Sequence, residues 1–362
     1  MSQPALVARA DLSPYRRAIV FSDLHGDDQG FCALLEETGF GPGDALVCVG
    51  DLLEKGDASL PLLRRVMTLA RNGHVYAVAG NNDVLLPEWE QGLVSDEDVL
   101  QYMTAQPQTI LREMARELGL GWADLAAVQA LKDAIQAAFA PELAFLRALP
   151  HILETPQAVF VHAGLAPGPL TAQDRERCLT WKAFGTETHP FARRVVVGHW
   201  PACNYRTGIV SSDPYENEAT GVLSIDGGNN LNRWGQINYL VIEGETLTAG
   251  RLDHYPKVQA LADQAPSADP VALLFPRTLV EVRQAGPTES RCFLPALGRE
   301  LTIPNDQLNR YKGRQYCASR TDYSLEVRAG DVLSCCALEP QGMLAIRQGV
   351  VGYYTGPYRP LD

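Results

Sequence analysis

The chain has 362 residues, of which 46% are hydrophobic, so it is long enough for two or three domains with a full core. It carries 31 basic and 43 acidic residues, which give a net charge of −12. Proteins that bind nucleic acid through counterion release need a basic surface, so this balance argues against a nucleic-acid partner.

Residues 1–18 contain no continuous apolar segment, and no later run reaches membrane-spanning length. The eight cysteines include no C-x-x-C pair, and several lie in apolar runs. Free thiols of this kind are typical of a reducing compartment. We therefore expect a cytoplasmic protein with no membrane partner.

The first part of the chain alternates between strand and helix patterns. From Arg17 to Asp83 short apolar runs alternate with segments of helical spacing. Residues 84–150 lack strand patterns, and Ser95 and Pro141 mark helix starts there, so we predict a helical insertion. Strand patterns return after residue 157 and continue to about residue 242.

The last part of the chain has a different composition. Residues 256–276 are rich in Ala, Pro, Asp and Gln, which predicts a linker between a domain at 1–255 and a domain at 277–362. The runs after it are short and separated by turn residues, which favours a small all-β domain, a β-barrel of the SH3-like kind. That region carries a loose basic cluster that would either dock an acidic protein partner or form a solvated face: Arg310, Lys312, Arg314 and Arg320.

Five apolar runs in the first domain end at residues that can hold a metal ion. In open α/β sheets the ligand crevice lies outside the carboxyl ends of the strands, so these side chains should converge. The set contains two carboxylates, three imidazoles and one carboxamide: Asp23, His25, Asp51, Asn81, His162 and His199.

The sequence blocks around these residues resemble the calcineurin-like metallophosphoesterase superfamily. The blocks are Ser22-Asp-Leu-His-Gly-Asp27, Gly50-Asp-Leu-Leu-Glu-Lys-Gly56, Gly80-Asn-Asn-Asp83, Phe160-Val-His-Ala-Gly-Leu165 and Val197-Gly-His-Trp-Pro201. Within the superfamily they resemble the phosphoprotein phosphatase branch and its relatives, which include the diadenosine tetraphosphatases. The resemblance covers about residues 17–255 and implies a four-layer α/β/β/α sandwich.

The resemblance also implies a site for two divalent metal ions. Asp51 would bridge them, Asp23 and His25 would complete one site, and the other site would be formed by Asn81, His162 and His199. Oxygen and nitrogen ligands without thiolate suit Mn²⁺ or Fe best and admit Zn²⁺ or Mg²⁺.

Three further positions bear on substrate and catalysis. The resemblance places an acidic residue and a phosphate-binding arginine after the bridging aspartate, and here these are Glu54 and Lys55. Lys55 keeps the positive charge without the bidentate fork of arginine. Arg206, after the fifth block, is a second candidate for phosphate binding.

The third block departs from the family pattern. The family has a general-acid histidine where this chain has Asn82, and a carboxamide has no proton to transfer near neutral pH. Asp83 is the first candidate to replace it. We expect a two-metal phosphoester hydrolase acting on a phosphorylated protein or small molecule, with a preference for good leaving groups such as aryl phosphate and phosphotyrosine. The alternatives are a dinucleoside polyphosphate or nucleotide hydrolase, and a non-catalytic metal or phosphate sensor.

Overall fold

The structure is a computed structural model that describes residues 3–361. The chain divides into two compact units. Unit 1 runs to Ala202 and resumes at Asp213–His254, whereas unit 2 consists of Cys203–Ser212 and the chain from Tyr255 onward. The chain therefore crosses between the units at three points. Within residues 3–361 no helix has the length and apolar character needed to span a membrane.

Both units are rich in strands. The strands are β1 (Val7–Arg9), β2 (Arg17–Phe21), β3 (Asp44–Cys48), β4 (Val75–Ala77), β5 (Ile152–Glu154), β6 (Ala158–Val161), β7 (Arg194–Val197), β8 (Val210–Ser211), β9 (Tyr215–Asn217), β10 (Val222–Ser224), β11 (Ile237–Glu243), β12 (Thr246–Leu252), β13 (Lys257–Ala260), β14 (Ala272–Leu273), β15 (Leu279–Ala285), β16 (Glu289–Leu294), β17 (Arg299–Pro304), β18 (Leu308–Tyr311), β19 (Arg314–Cys317), β20 (Arg320–Thr321), β21 (Val332–Glu339), β22 (Gly342–Arg347), β23 (Val350–Tyr354) and β24 (Tyr358–Pro360).

The α-helices all belong to unit 1. They are α1 (Asp28–Glu37), α2 (Ser59–Arg71), α3 (Leu85–Glu90), α4 (Asp96–Ala105), α5 (Ile110–Leu118), α6 (Leu125–Ala138), α7 (Ala140–Arg147) and α8 (Arg175–Thr180). Helices α3 to α7 follow one another without an intervening strand, as the sequence pattern predicted for residues 84–150. Ser95 caps α4 by accepting the Asp98 N–H, and Pro141 lies in the first turn of α7.

Unit 1 contains two sheets. One has the strand order β1-β5-β6-β7-β10-β9, and the other has the order β12-β11-β2-β3-β4. Strands β2, β3 and β4 are parallel, and so are β6, β7 and β10. The metal-ligand candidates therefore follow parallel strands in both sheets.

Strand β2 shows how alternate residues build two cores. Ala18 and Val20 pack with residues of the other sheet, including Phe160 and Val196. Ile19 and Phe21 face the opposite side and pack with residues of α1, α2 and the inserted helices. The outer face of the other sheet is covered by Cys178 of α8 and by Phe184. Unit 1 is therefore a mixed α/β fold with helices outside two packed sheets.

Unit 2 is β-rich, with sheets of six strands (β24-β13-β21-β22-β23-β8), five strands (β17-β16-β15-β19-β18) and two strands (β14-β20). Two separate apolar cores form, one around Leu333 and Tyr354 and the other around Cys292 and Ile303. The structure thus has two larger sheets where the sequence predicted one small SH3-like barrel. Short strand β8 pairs with β23, where Val210 lies opposite Val351.

The segment expected to be a linker is structured. Residues 256–276 contain β13, which pairs with β21 and β24, and β14, which pairs with β20. Val258 and Ala260 of β13 are buried in the core of unit 2, because their alternating positions face the same side of the sheet. The alternation of buried and exposed residues in β13 is short, and the linker-like composition of the segment did not indicate a strand.

Candidate metal and phosphate site

The carboxyl ends of β2 and β3 bring two aspartates and a histidine together. Asp23, His25 and Asp51 are buried, and each offers one ligand atom within 4.8 Å of the others. His25 Nε2 lies 3.9 Å from Asp23 Oδ1 and 3.9 Å from Asp51 Oδ2. These residues form one half of the predicted cluster.

Three other side chains meet at the ends of β4, β6 and β7. The Asn81 side-chain oxygen lies 3.2 Å from His162 Nε2 and 2.8 Å from His199 Nδ1. His162 Nε2 is also 3.4 Å from Asp51 Oδ1, and the His199 backbone N–H donates to the Asp23 carboxylate. All six predicted ligands are therefore linked through contacts in one cluster, with Asp51 between the two halves.

Backbone hydrogen bonds fix which histidine nitrogen faces the cluster. The Nδ1–H of His162 donates to the Val49 carbonyl at 2.9 Å, and His25 Nδ1 lies 3.3 Å from the Leu53 carbonyl. This leaves Nε2 of both rings facing the carboxylates. His25 Nε2 is buried without a hydrogen-bond partner, as a nitrogen lone pair that binds a metal ion would be.

Several residues of the cluster have backbone conformations that are uncommon outside glycine. Asp23, His25, Asp51 and His199 have φ between 50° and 64°, the left-handed region. Such conformations cost about 1–3 kcal/mol each and persist where the surrounding structure holds them. Glycines allow this close packing, because a Cβ on Gly80 would lie 2.1 Å from Asp51 Oδ1.

The electrostatics of the cluster favour an added positive charge. Burial raises the pKa of Asp23 well above its usual range, and the nearby Asp226 carboxylate raises it further. Burial would lower the pKa of His162, but the Asp51 and Asp23 carboxylates and the hydrogen bond to Val49 together raise it to about 10. The carboxylates of this buried site thus favour a positive charge beside them. A bound divalent cation would supply that charge.

Asp83 stabilises the loops that contain the cluster residues by accepting hydrogen bonds from their backbone amides. Its Oδ2 accepts the backbone N–H groups of Gly80 and Asp51 at 2.8 Å each, and its Oδ1 accepts those of Leu52 and Leu53 at 2.9 and 3.2 Å. Burial raises the pKa of Asp83 to about 6, and the Asp51 charge contributes. Because four amides occupy the carboxylate, its contacts do not support the hypothesis that Asp83 replaces the missing general acid.

Asn82 donates two hydrogen bonds to Asp51, the central aspartate of the cluster. Its backbone N–H donates to Asp51 Oδ1 at 2.9 Å, and its side-chain amide donates to Asp51 Oδ2 at 2.5 Å. The position that the family gives to a histidine is thus inside the cluster, and its side chain acts here as a hydrogen-bond donor.

Glu54 forms hydrogen bonds with the helical insertion. Its Oε2 accepts the hydroxyl of Tyr102 at 2.6 Å and its Oε1 accepts the Ile110 N–H at 3.3 Å. Both partners belong to the helical insertion. Burial raises the pKa of Glu54 to about 7, although both hydrogen bonds lower it.

The family model of the calcineurin-like phosphoesterases matches residues 16–123, which include β2 to β4 and their site residues. This part of the chain is therefore similar to the calcineurin-like phosphoesterases. The matched region contains Asp23, His25, Asp51 and Asn81, whereas His162 and His199 lie beyond it. The matched region therefore contains the Asp23–His25–Asp51 cluster, whose side chains could hold a metal ion.

No curated protein sequence matches the chain, whereas several solved structures match it over about two thirds of its length. A candidate diadenosine tetraphosphatase is 21% identical over 69% of this chain and 99% of its own, with a TM-score of 0.47. A protein serine/threonine phosphatase from Saccharomyces cerevisiae is 12% identical over 70% and 84%, with a TM-score of 0.42. A cold-active protein-tyrosine phosphatase of Shewanella sp. is 16% identical over 68% and 82%, with a TM-score of 0.42. Similarity at this level assigns no activity to the chain.

Two lysines contribute to the electrostatics of the cluster. Burial lowers the pKa of His25, and the charge of Lys55 acts in the same direction. Burial and then His162 lower the pKa of His199 to about 4, and Lys182 contributes in the same way. Arg206, the other predicted phosphate ligand, belongs to unit 2 and not to the unit that contains the cluster.

Sequence reasoning missed Tyr102 and Lys182. Tyr102 lies in the helical insertion, 48 positions from its partner Glu54, and no spacing rule connects the two. Lys182 follows α8 directly and is exposed, so nothing in its local sequence distinguishes it from a surface lysine. A strand-end search cannot find either residue, because neither follows a strand.

Proposed function

We propose that unit 1 is a two-metal phosphoester hydrolase of the phosphoprotein phosphatase type. The observation that carries the proposal is the buried cluster of Asp23, His25 and Asp51, which contacts a second group formed by Asn81, His162 and His199. Two carboxylates, three imidazoles and a carboxamide at the ends of parallel strands are a ligand set for two hard or borderline cations.

Asp51 is the proposed bridge. Its two oxygens face different groups, since Oδ2 is directed to His25 and Oδ1 to His162. Asp23 and His25 would hold one ion with it, and the other ion would be held by Asn81, His162 and His199. We propose Mn²⁺ or Fe ahead of Zn²⁺ or Mg²⁺, because the donor set mixes carboxylate and carboxamide oxygens with imidazole nitrogens and contains no thiolate.

The metal ions, when bound, would lower the pKa of the attacking water and offset the charge on the phosphoryl oxygens. The chain contributes the positions of the groups. Hydrogen bonds to backbone carbonyls orient the His25 and His162 rings, and Asp83 holds the amides of the Asp51 loop. Lys55 and Lys182 are the proposed partners of the phosphate, because their charges act on His25 and His199 of the cluster.

We expect the leaving-group preference of this chain to differ from that of the family. Asn82 can stabilise an oxygen by hydrogen bonding, but it cannot protonate one. General acid catalysis typically contributes about 10²–10⁴-fold, and its loss matters most for alkoxide leaving groups. We therefore propose a preference for aryl phosphates, with phosphotyrosine as the protein substrate class.

A substrate screen tests the proposed function. Protein treated with chelator and reloaded separately with Mn²⁺, Fe²⁺, Zn²⁺ or Mg²⁺ is assayed against aryl phosphate, phosphotyrosine and phosphoserine peptides, and a dinucleoside polyphosphate. Metal-dependent turnover of the monoesters is expected. Turnover of the dinucleoside polyphosphate alone would show a nucleotide hydrolase, and stoichiometric metal binding without turnover would show a sensor.

The role of unit 2 remains a prediction. Arg310, Lys312 and Arg314 lie on the exposed hairpin of β18 and β19, and Arg320 lies on β20. We propose that the hairpin docks an acidic segment of a protein substrate. Hydrolysis of phosphopeptides with and without acidic flanks tests this role, because only the flanked peptides should lose kcat/KM when the hairpin residues are changed to glutamine.

A further inference from the structure

The glycine-rich turn between β10 and β11 has no role in the proposed chemistry. It consists of Asp226-Gly-Gly-Asn-Asn230 and belongs to unit 1, as the six metal-ligand candidates do. Asp226 is buried, and its Oδ1 accepts the Gly228 N–H at 2.7 Å. This hydrogen bond helps to hold the turn that positions the side chains of Asn229 and Asn230.

Both asparagines donate hydrogen bonds to the loop that contains His25. Asn229 is buried, and its side-chain amide donates to the Leu24 carbonyl at 3.0 Å and to Asp27 Oδ2 at 3.1 Å. The side-chain amide of Asn230 donates to the His25 carbonyl at 3.0 Å. The two carbonyls belong to the peptide groups on either side of His25. The turn therefore contacts the backbone both before and after this candidate ligand.

His25 needs such contacts because its backbone conformation is unfavourable. Its φ is 50°, in the left-handed region, and a residue other than glycine keeps this conformation only where the surrounding structure holds it. The His25 N–H donates to the Asp51 carbonyl at 3.0 Å, and the Gly26 N–H donates to the Leu52 carbonyl at 2.7 Å. Each peptide group beside His25 therefore has a hydrogen bond at its N–H, and the two asparagines supply the hydrogen bond at its carbonyl.

The contacts of the two asparagines are confined to one half of the cluster. A Cβ on Gly56, in the loop after Asp51, would lie 2.2 Å from the His25 carbonyl oxygen and 2.8 Å from Asn230 Nδ2, so the two ligand loops and the turn are closely packed. Among residues 3–361, the side chains of the two asparagines donate only to the loop of His25. They make no hydrogen bond to the other ligand group, which consists of Asn81, His162 and His199.

We propose that Asn229 and Asn230 are positioning residues for His25 and thereby for one of the two metal ions. This inference rests on the proposed two-metal function. Without their hydrogen bonds the loop relaxes toward a more favourable backbone conformation, which moves the imidazole away from Asp23 and Asp51. The ion held by these three residues should then bind about 10–100-fold more weakly, the usual effect of losing an outer contact that orients a ligand. The other ion should bind as in wild type.

Calorimetric titration of chelator-treated protein with Mn²⁺ alone measures both affinities without a substrate. Asn230→Gly is the first variant, because glycine keeps the positive φ of 56° without strain and removes only the side chain. Asn229→Leu is the second variant, because leucine has a similar shape but no hydrogen-bond donor. Wild type should bind two Mn²⁺ ions. Each variant should bind one ion with the affinity of wild type and the other about 10–100-fold more weakly.

Each variant has a matched control. Gln348→Gly also replaces an exposed residue of positive φ, here 49°, by glycine, but in the turn between β22 and β23 of unit 2. Asn217→Leu removes a side-chain amide that likewise donates to two oxygen atoms, the carbonyls of Gly185 and Glu187, and neither of these residues adjoins a candidate ligand in the sequence. Both controls should bind two Mn²⁺ ions with the affinities of wild type.

Ligand variants show which ion is affected. His25→Ala removes a proposed ligand of the first ion, and His199→Ala removes a proposed ligand of the second. Adding Asn229→Leu should weaken Mn²⁺ binding in the His199→Ala protein and leave it unchanged in the His25→Ala protein, because residues that act through one another are not additive. General destabilisation would weaken binding in both proteins, so this comparison separates it from a positioning role.

Three results would overturn the positioning role: unchanged affinities in both variants, equal weakening of the two ions, and equal effects in the two ligand variants. If Asn229→Leu does not fold, Asn230→Gly is combined with the ligand variants instead and decides the case. Failure of the proposed function is seen in a different measurement, as wild type that hydrolyses no phosphoester with metal bound. The affinities of the variants still decide the positioning role in that case.

Discussion

Replacement of Asp83 by asparagine tests whether this residue braces the site or performs chemistry. The change keeps the size of the side chain but turns one oxygen into an amide group, which cannot accept hydrogen bonds. Each Asp83 oxygen accepts two backbone N–H groups, so two buried donors lose their acceptor. A buried donor without an acceptor costs about 1–3 kcal/mol, which gives a destabilisation of about 2–6 kcal/mol.

That loss is a large fraction of the stability of a typical domain, which is about 5–15 kcal/mol. It should be visible in denaturant unfolding followed by tryptophan fluorescence. All five tryptophans lie in unit 1, so this signal reports on the unit that contains Asp83. Metal affinity should also fall, by about 10–100-fold, because the amides that Asp83 holds belong to the loop of Asp51.

Asp124→Asn is the control for Asp83→Asn. Asp124 caps α6 by accepting the Ala127 N–H at 2.9 Å, and asparagine is an equally good cap, so stability should change by less than about 0.5 kcal/mol. If Asp83→Asn unfolds at the same denaturant concentration as wild type and binds metal equally well, the bracing role is wrong. Asp83 would then return as a candidate proton donor.

Three further predictions concern the cluster. Asp51→Asn should remove most activity and reduce metal content, because Asp51 lies between the two ligand groups. Unchanged activity in the presence of chelators would contradict the mechanism. Asn82→His should flatten the dependence of rate on leaving-group pKa, with the gain mainly on alkyl esters, and a wild-type enzyme that hydrolyses phosphoserine and aryl phosphate equally would remove its basis. Gly80→Ala should lower the metal content measured by elemental analysis, because the added Cβ would lie 2.2 Å from the Asp51 nitrogen. A metal content equal to that of wild type would show that the loop can shift.

The proximity of the six candidate ligands could be predicted because local patterns specify it. Strand β3 ends three residues before Asp51 and β6 ends directly before His162, and parallel strands place such ends at one edge of a sheet. The inserted helices were predictable for a similar reason, since Ser95 and Pro141 are local start signals.

The rest depends on contacts between distant parts of the chain. The direction of the Asp83 carboxylate is decided by amides about 30 positions away, and the partner of Glu54 comes from a different helix. Strand β13 was taken for part of a linker because four residues are too few to show periodicity within a segment rich in Pro and Asp. Arg206 was proposed from its position after the fifth block and stays a prediction; it belongs to unit 2.

The passage of Cys203–Ser212 into unit 2 limits how the protein can be shortened. A chain that ends after His254 would keep β8 but lose β23, and Val210, which is fully buried in the intact protein, would lose its partner Val351. The result would be a free strand edge with an exposed apolar side chain, a feature that promotes aggregation. An insoluble truncated protein would therefore not show that the catalytic unit requires unit 2 for its own folding. A variant that also lacks Cys203–Ser212 is needed to answer that question.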